Sequence, residues 1–293
     1  MNIALISYSK EIASTNIKEN LINNFSFNKL EEEFEDNNIF ELNDIKLYTI
    51  NSEMIHANDL DKKIDADVFV FLSKHKAAEG RASLTCHPIG NFGEADKGGK
   101  DKTLCHSYPS LLKNMFIELN KNVENSEYEA TLEATHHGPF MEKPLLFVEL
   151  GSNEKYWGDK EGADIVAKSV IKAIEKCNGF AATNNNTSNK KNNETTKNEN
   201  IEKKNYESVF VIGGSHYNHV ANKAMLKSDL AVGHICAKHN LDSLDENLIK
   251  EAMEKCNAKF VLLDWKGLGK EKARILELLE KNNVNYKRSD KIF

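Results

Sequence analysis

The sequence predicts an α/β fold with a mainly parallel or mixed sheet and helices on both faces. Short apolar runs rich in β-branched and aromatic residues alternate with stretches of helical spacing, which is typical of this class. Most of the runs are continuously apolar, as in strands covered on both faces. The 293 residues, of which 40% are hydrophobic, are enough to bury a large core.

The individual elements follow from the spacing of apolar side chains. Two helices are predicted where apolar residues repeat at three and four positions, over Leu111–Leu119 and Ile165–Ile174. Further helices are predicted over Asn218–Lys227, Leu244–Cys256 and Lys270–Glu280. The predicted strands are the apolar runs Ile3–Ser7, Lys46–Ile50, Val68–Leu72, Leu145–Leu150, Val209–Ile212, Leu230–Ile235 and Phe260–Leu263.

Composition and charge exclude several classes of protein. No apolar stretch approaches the roughly 20 residues that cross a bilayer, and the first residues lack a basic segment and a cleavage site, so neither a membrane span nor a signal peptide is predicted. The five Cys form no C-x-x-C pair, which argues against a disulfide scaffold and for a reducing cytoplasm. A net charge of −6 argues against a protein that coats nucleic acid through bulk charge.

Residues 184–205 differ from the rest of the chain. Nine of these 22 residues are Asn and one is aliphatic, so the segment cannot bury apolar area. We expect a disordered surface insertion within a single α/β domain that spans residues 1–293. The strands on either side of it are expected to belong to one sheet, which favours a long loop over a boundary between two lobes.

The densest polar cluster directly follows the predicted strand Val68–Leu72. In open α/β sheets, ligands bind in the loops at the carboxyl ends of strands. A solvated charged loop would explain Lys74 by itself. Arg, however, occurs at only three positions in a chain rich in Lys, and its presence at Arg81 indicates planar recognition of a phosphate or carboxylate. Lys74, His75, Glu79 and Arg81 are therefore candidate substrate-binding residues.

A second cluster combines adjacent histidines with a carboxylate at the end of a strand. Glu149 closes the run Leu145–Leu150, and a buried carboxylate is costly unless it is paired, bound to metal or catalytic. His136 and His137 precede this strand. Adjacent side chains point in different directions on extended backbone, so at most one of the two is expected to join a single site. The next loop contains Glu154, Tyr156 and Trp157, which could supply a stacking surface, although an edge-packing aromatic pair is the commoner explanation.

A third candidate site begins where the strand Val209–Ile212 ends in Gly213 and Gly214. The glycines let the backbone approach a ligand, and the N-terminus of the following helix favours an anion. His216 and His219 are spaced to lie on one face of a first helical turn and to chelate a metal. Ordinary surface histidines would show the same spacing, and the two glycines favour the functional interpretation.

Six segments together resemble the archaeal and plant type of D-aminoacyl-tRNA deacylase. Each is weakly specific alone, whereas the ordered set is specific and spans most of the chain. The segments, in the family's order, are SKHKAAEGRASLTCHPIGN (Ser73–Asn91), ATHHGP (Ala134–Pro139), FVELGS (Phe147–Ser152), GGSHY (Gly213–Tyr217), VGHI (Val232–Ile235) and DWKG (Asp264–Gly267).

The resemblance implies an enzyme that hydrolyses the ester joining a D-amino acid to the 3′ end of tRNA, with zinc as its cofactor. It also implies an α/β fold similar to those of purine nucleoside phosphorylases and peptidyl-tRNA hydrolases. Ester hydrolysis requires an activated water and charge stabilisation at the carbonyl oxygen, and zinc can supply both.

The resemblance also gathers the candidate residues into one site. The expected catalytic residues are Glu149, His87 and His137. The expected metal ligands are His87, His136, His216 and His234, although a lone strand histidine such as the last is usually a satisfied core residue. The expected contacts to substrate and tRNA are Lys74, His75, Glu79, Arg81, Gly213, Gly214 and the loop Lys97–Lys102.

Two other classes of protein are compatible with these residues. A nucleoside phosphorylase-like enzyme would bind phosphate through Arg81 and the glycine pair and cleave nucleosides in a phosphate-dependent reaction. A non-catalytic tRNA-binding protein would bind tRNA without turnover. No predicted helix presents an apolar face that requires an obligate dimer, so a cytoplasmic monomer is expected.

Overall fold

The chain folds into two β-sheets and a short two-stranded ribbon. The structure is a computed structural model and describes residues 1–179 and 204–293. The strands are β1 (Ile3–Tyr8), β2 (Asn28–Phe34), β3 (Asn37–Leu42), β4 (Ile45–Ile50), β5 (Val68–Lys76), β6 (Ser83–Pro88), β7 (Gly90–Asn91), β8 (Thr103–Leu104), β9 (Glu129–Leu132), β10 (Leu145–Ser152), β11 (Glu207–Ile212), β12 (Leu230–Cys236), β13 (Phe260–Leu263) and β14 (Tyr286–Arg288).

The larger sheet has eight strands in the order β2-β3-β4-β1-β5-β10-β6-β9. Its centre is parallel, since β1 pairs in parallel with β4 and β5, and β5 with β10. β6 runs antiparallel to β10, and β2 and β3 form an antiparallel hairpin at the opposite edge. The carboxyl ends of the central strands therefore meet at one edge of the sheet.

The smaller sheet has the order β12-β11-β13-β14, and all of its pairs are parallel. The interpretation that the strands flanking the Asn-rich segment belong to one sheet is wrong, because β10 lies in the larger sheet and β11 in the smaller one. Residues 184–203 of that segment lie outside the described residues.

Helices cover the sheets unequally. α1, α2 and α4 pack on one face of the larger sheet, and α4 contacts both of the others. The smaller sheet lies between α2 and α5 on one side and α6 and α7 on the other. The helices are α1 (Ile12–Asn24), α2 (Pro109–Asn122), α3 (Glu154–Trp157), α4 (Lys160–Asn178), α5 (His219–Lys227), α6 (Glu246–Lys255) and α7 (Lys272–Lys281). The α/β class with mixed, mainly parallel sheets is confirmed.

All seven apolar runs predicted as strands are strands, and all five predicted helices are helices to within a few residues. The polar cluster after Leu72 differs from its expected loop. β5 continues to Lys76, and β6 begins at Ser83. The strand is concealed in the sequence because His75 is buried between the exposed residues Lys74 and Lys76. No helix among the described residues is long and apolar enough to cross a membrane.

One buried lysine joins the two sheets through α2. Lys113 Nζ donates to the backbone carbonyls of Ser228 (2.6 Å) and Leu230 (2.7 Å), at the start of β12. Burial lowers the pKa of this amine to about 8. The bonds fix the smaller sheet against a helix that also packs on the larger one, so they set the relative position of the loops that leave both sheets.

We expect Lys113→Met to lower the free energy of unfolding by about 1–3 kcal/mol, because two carbonyl oxygens lose their donor. Lys121→Met, at an exposed position of the same helix, should change it by less than about 0.5 kcal/mol. Urea denaturation followed by circular dichroism measures both variants. Equal losses would contradict the role of Lys113 in joining the sheets.

Candidate functional site

A cavity of about 460 Å³ opens where the strands β5 and β10 end. Loops that follow β9 and β11 close it from the side, so both sheets contribute to its walls. Met54, Ile55 and Phe147 supply apolar wall, and Lys74 and Lys97 supply cations. The floor is formed by histidines and carboxylates.

Two buried carboxylates share one imidazole on this floor. His75 Nδ1 lies 3.1 Å from Glu133 Oε1 and 3.2 Å from Glu149 Oε2. Thr85 Oγ1 also donates to Glu149 Oε2, at 3.3 Å. Since carboxylate oxygens only accept, His75 must carry a proton on Nδ1. Burial lowers the pKa of His75, but the hydrogen bonds to the two carboxylates outweigh burial and raise it to about 10.

The strand β10 can lie directly against His75 because Gly151 has no side chain. Gly151 is the register partner of His75 in the parallel pair β5–β10. A Cβ atom on Gly151 would lie 2.5 Å from the carbonyl oxygen of His75 and 2.6 Å from its Cβ. Glycine at this position therefore permits the strand spacing that keeps His75 and Glu149 together.

Three further imidazoles, those of His87, His136 and His137, cluster beside the carboxylates. The ring centroid of His136 lies 4.3 Å from that of His87 and 4.3 Å from that of His137. Each Nδ1 faces a backbone carbonyl oxygen no more than two residues away in the chain, at 3.2, 2.8 and 2.6 Å respectively. Because a carbonyl oxygen only accepts, Nδ1 carries the proton and a neutral ring has its lone pair on Nε2.

These three histidines fit a zinc ion. One ligand atom of each lies within 4.8 Å of the others. His87 Nε2 is buried without a hydrogen-bond partner in the part of the chain that the structure describes, and the facing Glu149 Oε1 is 3.5 Å away. A ring held by its other nitrogen is the usual arrangement of metal-binding histidines, and zinc accepts three imidazole ligands. Glu133, His136 and His216 form a second group within the same distance.

The loop after β11 completes the site from the smaller sheet. His216 Nε2 lies 2.8 Å from Glu133 Oε2, and Tyr217 Oη lies 3.0 Å from His75 Nε2. The backbone N–H of Ala134 donates to the carbonyl of His216 at 2.8 Å. The segments that follow β9 and β11 are thus bonded to each other at the cavity.

The electrostatics of the floor favour a cation. Burial raises the pKa of the Glu133 and Glu149 carboxyls, but the imidazoles of His216 and His75 beside Glu133, and of His75 and His87 beside Glu149, outweigh burial and lower both pKa values. Burial likewise lowers the pKa of His87, and the facing carboxylates raise it overall. The two anions therefore attract positive charge to the position of His87 Nε2.

Burial and neighbouring imidazoles lower the pKa of His136 well below its ordinary value and that of His137 to about 4. Both rings are neutral at pH 7, as metal ligation requires. The expectation that at most one of them joins a site is wrong. His137 has a left-handed φ of 49°, which breaks the alternation of extended backbone and turns both rings towards His87.

The structure brings together most of the residues expected at the site, which are His75, His87, His136, His137, His216 and Glu149. His75, which was expected to contact substrate, lines the cavity and bridges two carboxylates. Lys74 and Lys97 line the cavity, and Lys74 Nζ lies 3.1 Å from the buried Glu11 Oε2. Lys100, in the expected phosphate loop, has its Nζ 3.5 Å from the ring centroid of Phe140.

His234 lies outside the cluster, which does not agree with its predicted role as a metal ligand. Its Nδ1 lies 3.2 Å from Thr135 Oγ1, and its Nε2 lies 3.0 Å from the carbonyl oxygen of Cys105. Both ring nitrogens are thus engaged, and burial lowers the pKa of the ring to about 3. The side chain ties β12 to the residue that precedes His136.

Four residues expected to contact substrate lie elsewhere. Arg81 Nε faces Glu79 Oε2 at 3.5 Å in the turn between β5 and β6, and both side chains are 72% exposed. Gly213 and Gly214 have left-handed φ values of 101° and 83°. A Cβ atom on Gly214 would lie 2.7 Å from Asp264 Oδ2, so this glycine accommodates a neighbouring turn of the chain itself.

Sequence reasoning missed Glu133 and Tyr217. Glu133 follows β9, whose four residues are too short and too polar to stand out as a strand. Its available signal was a carboxylate three residues before His136. Tyr217 ends the GGSHY segment, and nothing in the sequence indicates that its hydroxyl lies beside His75.

The sequence match to known proteins covers this entire cluster. The model of the D-aminoacyl-tRNA deacylase family matches residues 62–287. The chain belongs to the D-aminoacyl-tRNA deacylase family. The D-aminoacyl-tRNA deacylase of Pyrococcus furiosus is 33% identical over 264 residues, which are 87% of each chain. That of Cenarchaeum symbiosum is 35% identical over 237 residues, which are 80% of this chain and 82% of the other.

The fold is also shared with a protein of known structure. A crystal structure described as a conserved protein of unknown function superposes with a TM-score of 0.84 and 26% identity. The alignment covers 99% of this chain and 96% of that one. The overall arrangement of the chain is therefore common to both proteins.

The bridge at His75 predicts how the stability of metal-free protein depends on pH. The pKa of His75, about 10 when folded, lies above its unfolded value of about 6.5. Its stabilising contribution is therefore fully present below about pH 6.5 and is lost as pH rises through about 10. We expect the stability difference between wild type and His75→Gln to narrow from pH 7 to pH 10. Urea denaturation in chelator measures it, and a pH-independent difference would contradict the bridge.

Proposed function

We propose that the chain hydrolyses the ester bond of D-aminoacyl-tRNA, releasing the D-amino acid and tRNA, with zinc held at the floor of the cavity. The observation that carries this proposal is the convergence of three backbone-anchored imidazoles and two buried carboxylates in one cavity. Membership of the D-aminoacyl-tRNA deacylase family supplies the substrate class.

His87, His136 and His137 are the proposed zinc ligands. Their support is the buried, unpaired Nε2 of His87 and the backbone bonds that orient all three rings. Zinc would supply a Lewis acid for the ester carbonyl and a water whose pKa falls to about 7. Glu133 and His216 lie next to these ligands, and the Glu133 carboxylate adds negative charge to the floor of the cavity.

Glu149 is the proposed base. Its Oε2 accepts hydrogen bonds from His75 and Thr85, so Oε1 is the oxygen left to take the proton of the attacking water. The water oxygen bonds to the ester carbonyl carbon, and the bond from that carbon to the ribose oxygen then breaks. The proton held on Glu149 passes to the departing ribose oxygen, which restores the carboxylate.

Lys74 and Lys97 are the proposed contacts to the phosphates of the tRNA end, because both cations line the cavity. Arg81 and Glu79 lie in the exposed turn beyond it, and we assign them no part in the reaction. The restricted number of cations at the cavity fits an enzyme that holds one end of tRNA and then releases it.

The decisive experiment incubates the protein with D-tyrosyl-tRNA and with L-tyrosyl-tRNA, with and without a chelator. We expect hydrolysis of the D-ester, its loss on chelation and its recovery on addition of zinc. Binding of tRNA without turnover, or phosphate-dependent cleavage of nucleosides in its place, would contradict the proposal and favour one of the other two classes of protein.

Two substitutions separate the roles of ligand and base. Glu149→Gln should lower kcat by about 10²–10⁴-fold while zinc remains bound, because the base is lost and the three proposed ligands are kept. His87→Ala should lose zinc as well as activity, because a ligand is removed. His56→Ala, an exposed histidine outside the cluster, is the control. Metal analysis and single-turnover kinetics measure both properties, and unchanged zinc and activity in His87→Ala would place the metal elsewhere.

A further inference from the structure

A second cavity, of about 400 Å³, adjoins the first at Lys76, which lines both. We call it the Trp157 groove. It lies beyond the carboxyl ends of β5 and β10 and extends over the short helix α3. It is lined by Lys76, Ala77, Ser152, Asn153, Glu154, Lys155 and Trp157. The two cavities therefore lie side by side, with Lys76 as their shared lining residue.

The groove contains an aromatic ring held in a fixed position. Trp157 Nε1 donates to the carbonyl oxygen of His75 at 2.8 Å, so the indole is anchored to the strand that carries the catalytic floor. Lys74 Nζ lies 5.8 Å from the centre of the ring. The side chain is half-buried and keeps part of its surface in the groove.

The charge of the groove is opposite to that of the protein as a whole. The chain carries a net charge of −6, whereas Lys76 and Lys155 are exposed at the groove with one acidic side chain, Glu154, between them. Lys155 Nζ donates to Tyr156 Oη at 3.1 Å and lies 3.8 Å from Glu127 Oε2, and the lysine side chain is 69% exposed. Both cations are therefore accessible to a polyanion.

We propose that the Trp157 groove binds the unpaired nucleotides that precede the terminal adenosine of tRNA, with one base stacked on Trp157 and phosphates at Lys76 and Lys155. The proposal rests on the proposed function, because it extends the same substrate outward from the reacting ester. Aromatic faces that stack bases and lysines that follow the backbone are how proteins bind single-stranded nucleic acid without reading its sequence.

The experiment compares two substrates that share the ester and differ in the groove. D-tyrosyl-tRNA fills both cavities, whereas 3′-O-D-tyrosyl adenosine reaches only the first. In the holoenzyme, Lys155→Glu should raise KM for the tRNA several-fold and leave kcat/KM for the adenosine ester within twofold, because Lys155 lines the groove and not the catalytic cavity. The rise in KM with added salt should be less steep in the variant, because fewer phosphates are neutralised.

Lys143→Glu is the matched control. Lys143 is exposed and precedes the amino end of β10, the opposite end of the strand that brings Ser152 to the groove. It should behave as wild type with both substrates. Stacking is tested by Trp157→Phe and Trp157→Leu, which both lose the bond to His75. Trp157→Leu should weaken tRNA binding more than Trp157→Phe does, and the two variants should cleave the adenosine ester equally well.

Binding of uncharged tRNA, followed by fluorescence anisotropy, keeps the groove testable if neither ester is hydrolysed. Failure to hydrolyse both esters would refute the proposed function, and the groove would then be tested by whether Lys155→Glu weakens tRNA binding. Wild-type KM and tRNA affinity in Lys155→Glu would overturn the inference. So would equal losses on both substrates, which would indicate damage to the catalytic cavity.

Discussion

Two carboxylates buried a few ångströms apart are the constraint on which the rest of the site depends. Glu133 and Glu149 would repel each other and resist burial if nothing stood between them. His75 lies between them, and its Nδ1 contacts an oxygen of each carboxylate. Gly151 permits the approach of β10 that this bridge requires, and His87 and His216 face the outer oxygens. His75 is thus the counterion of both carboxylates.

The same constraint explains why two sheets meet here. Glu149 lies within β10 of the larger sheet, and Glu133 follows β9 at the edge of that sheet, where the loop from β11 reaches it. His216 and Tyr217 arrive on that loop and bond to Glu133 and His75. Lys113 holds the smaller sheet in place from the other end of the structure. A displacement of one sheet relative to the other would move the buried carboxylates away from the histidines that face them, which would make their burial unfavourable.

The sequence predicted the elements better than the contacts between them. Continuous apolar runs predicted β1, β4, β5, β10, β11, β12 and β13, because such strands are covered on both faces. β6 and β9 were not predicted, because their sequences are too polar or too short to indicate buried strands. Glu149 stood out as a carboxylate in an apolar run, whereas Glu133 did not. His136 and His137 lie in the same cluster because His137 has a left-handed backbone conformation, which the sequence pattern does not indicate. His234 is buried away from the cluster by tertiary contacts that residue spacing does not predict.

Imidazoles that are oriented by their own backbone can exchange a metal ion without unfolding. The carbonyl oxygens that fix His87, His136 and His137 belong to residues within two positions of each ring. Small zinc domains, in contrast, fold only when the ion binds. Binding of the proposed zinc ion would then order few side chains and carry a small entropy penalty. Selection among divalent ions would fall to ligand type and spacing, because the energy of folding is not available to discriminate between them.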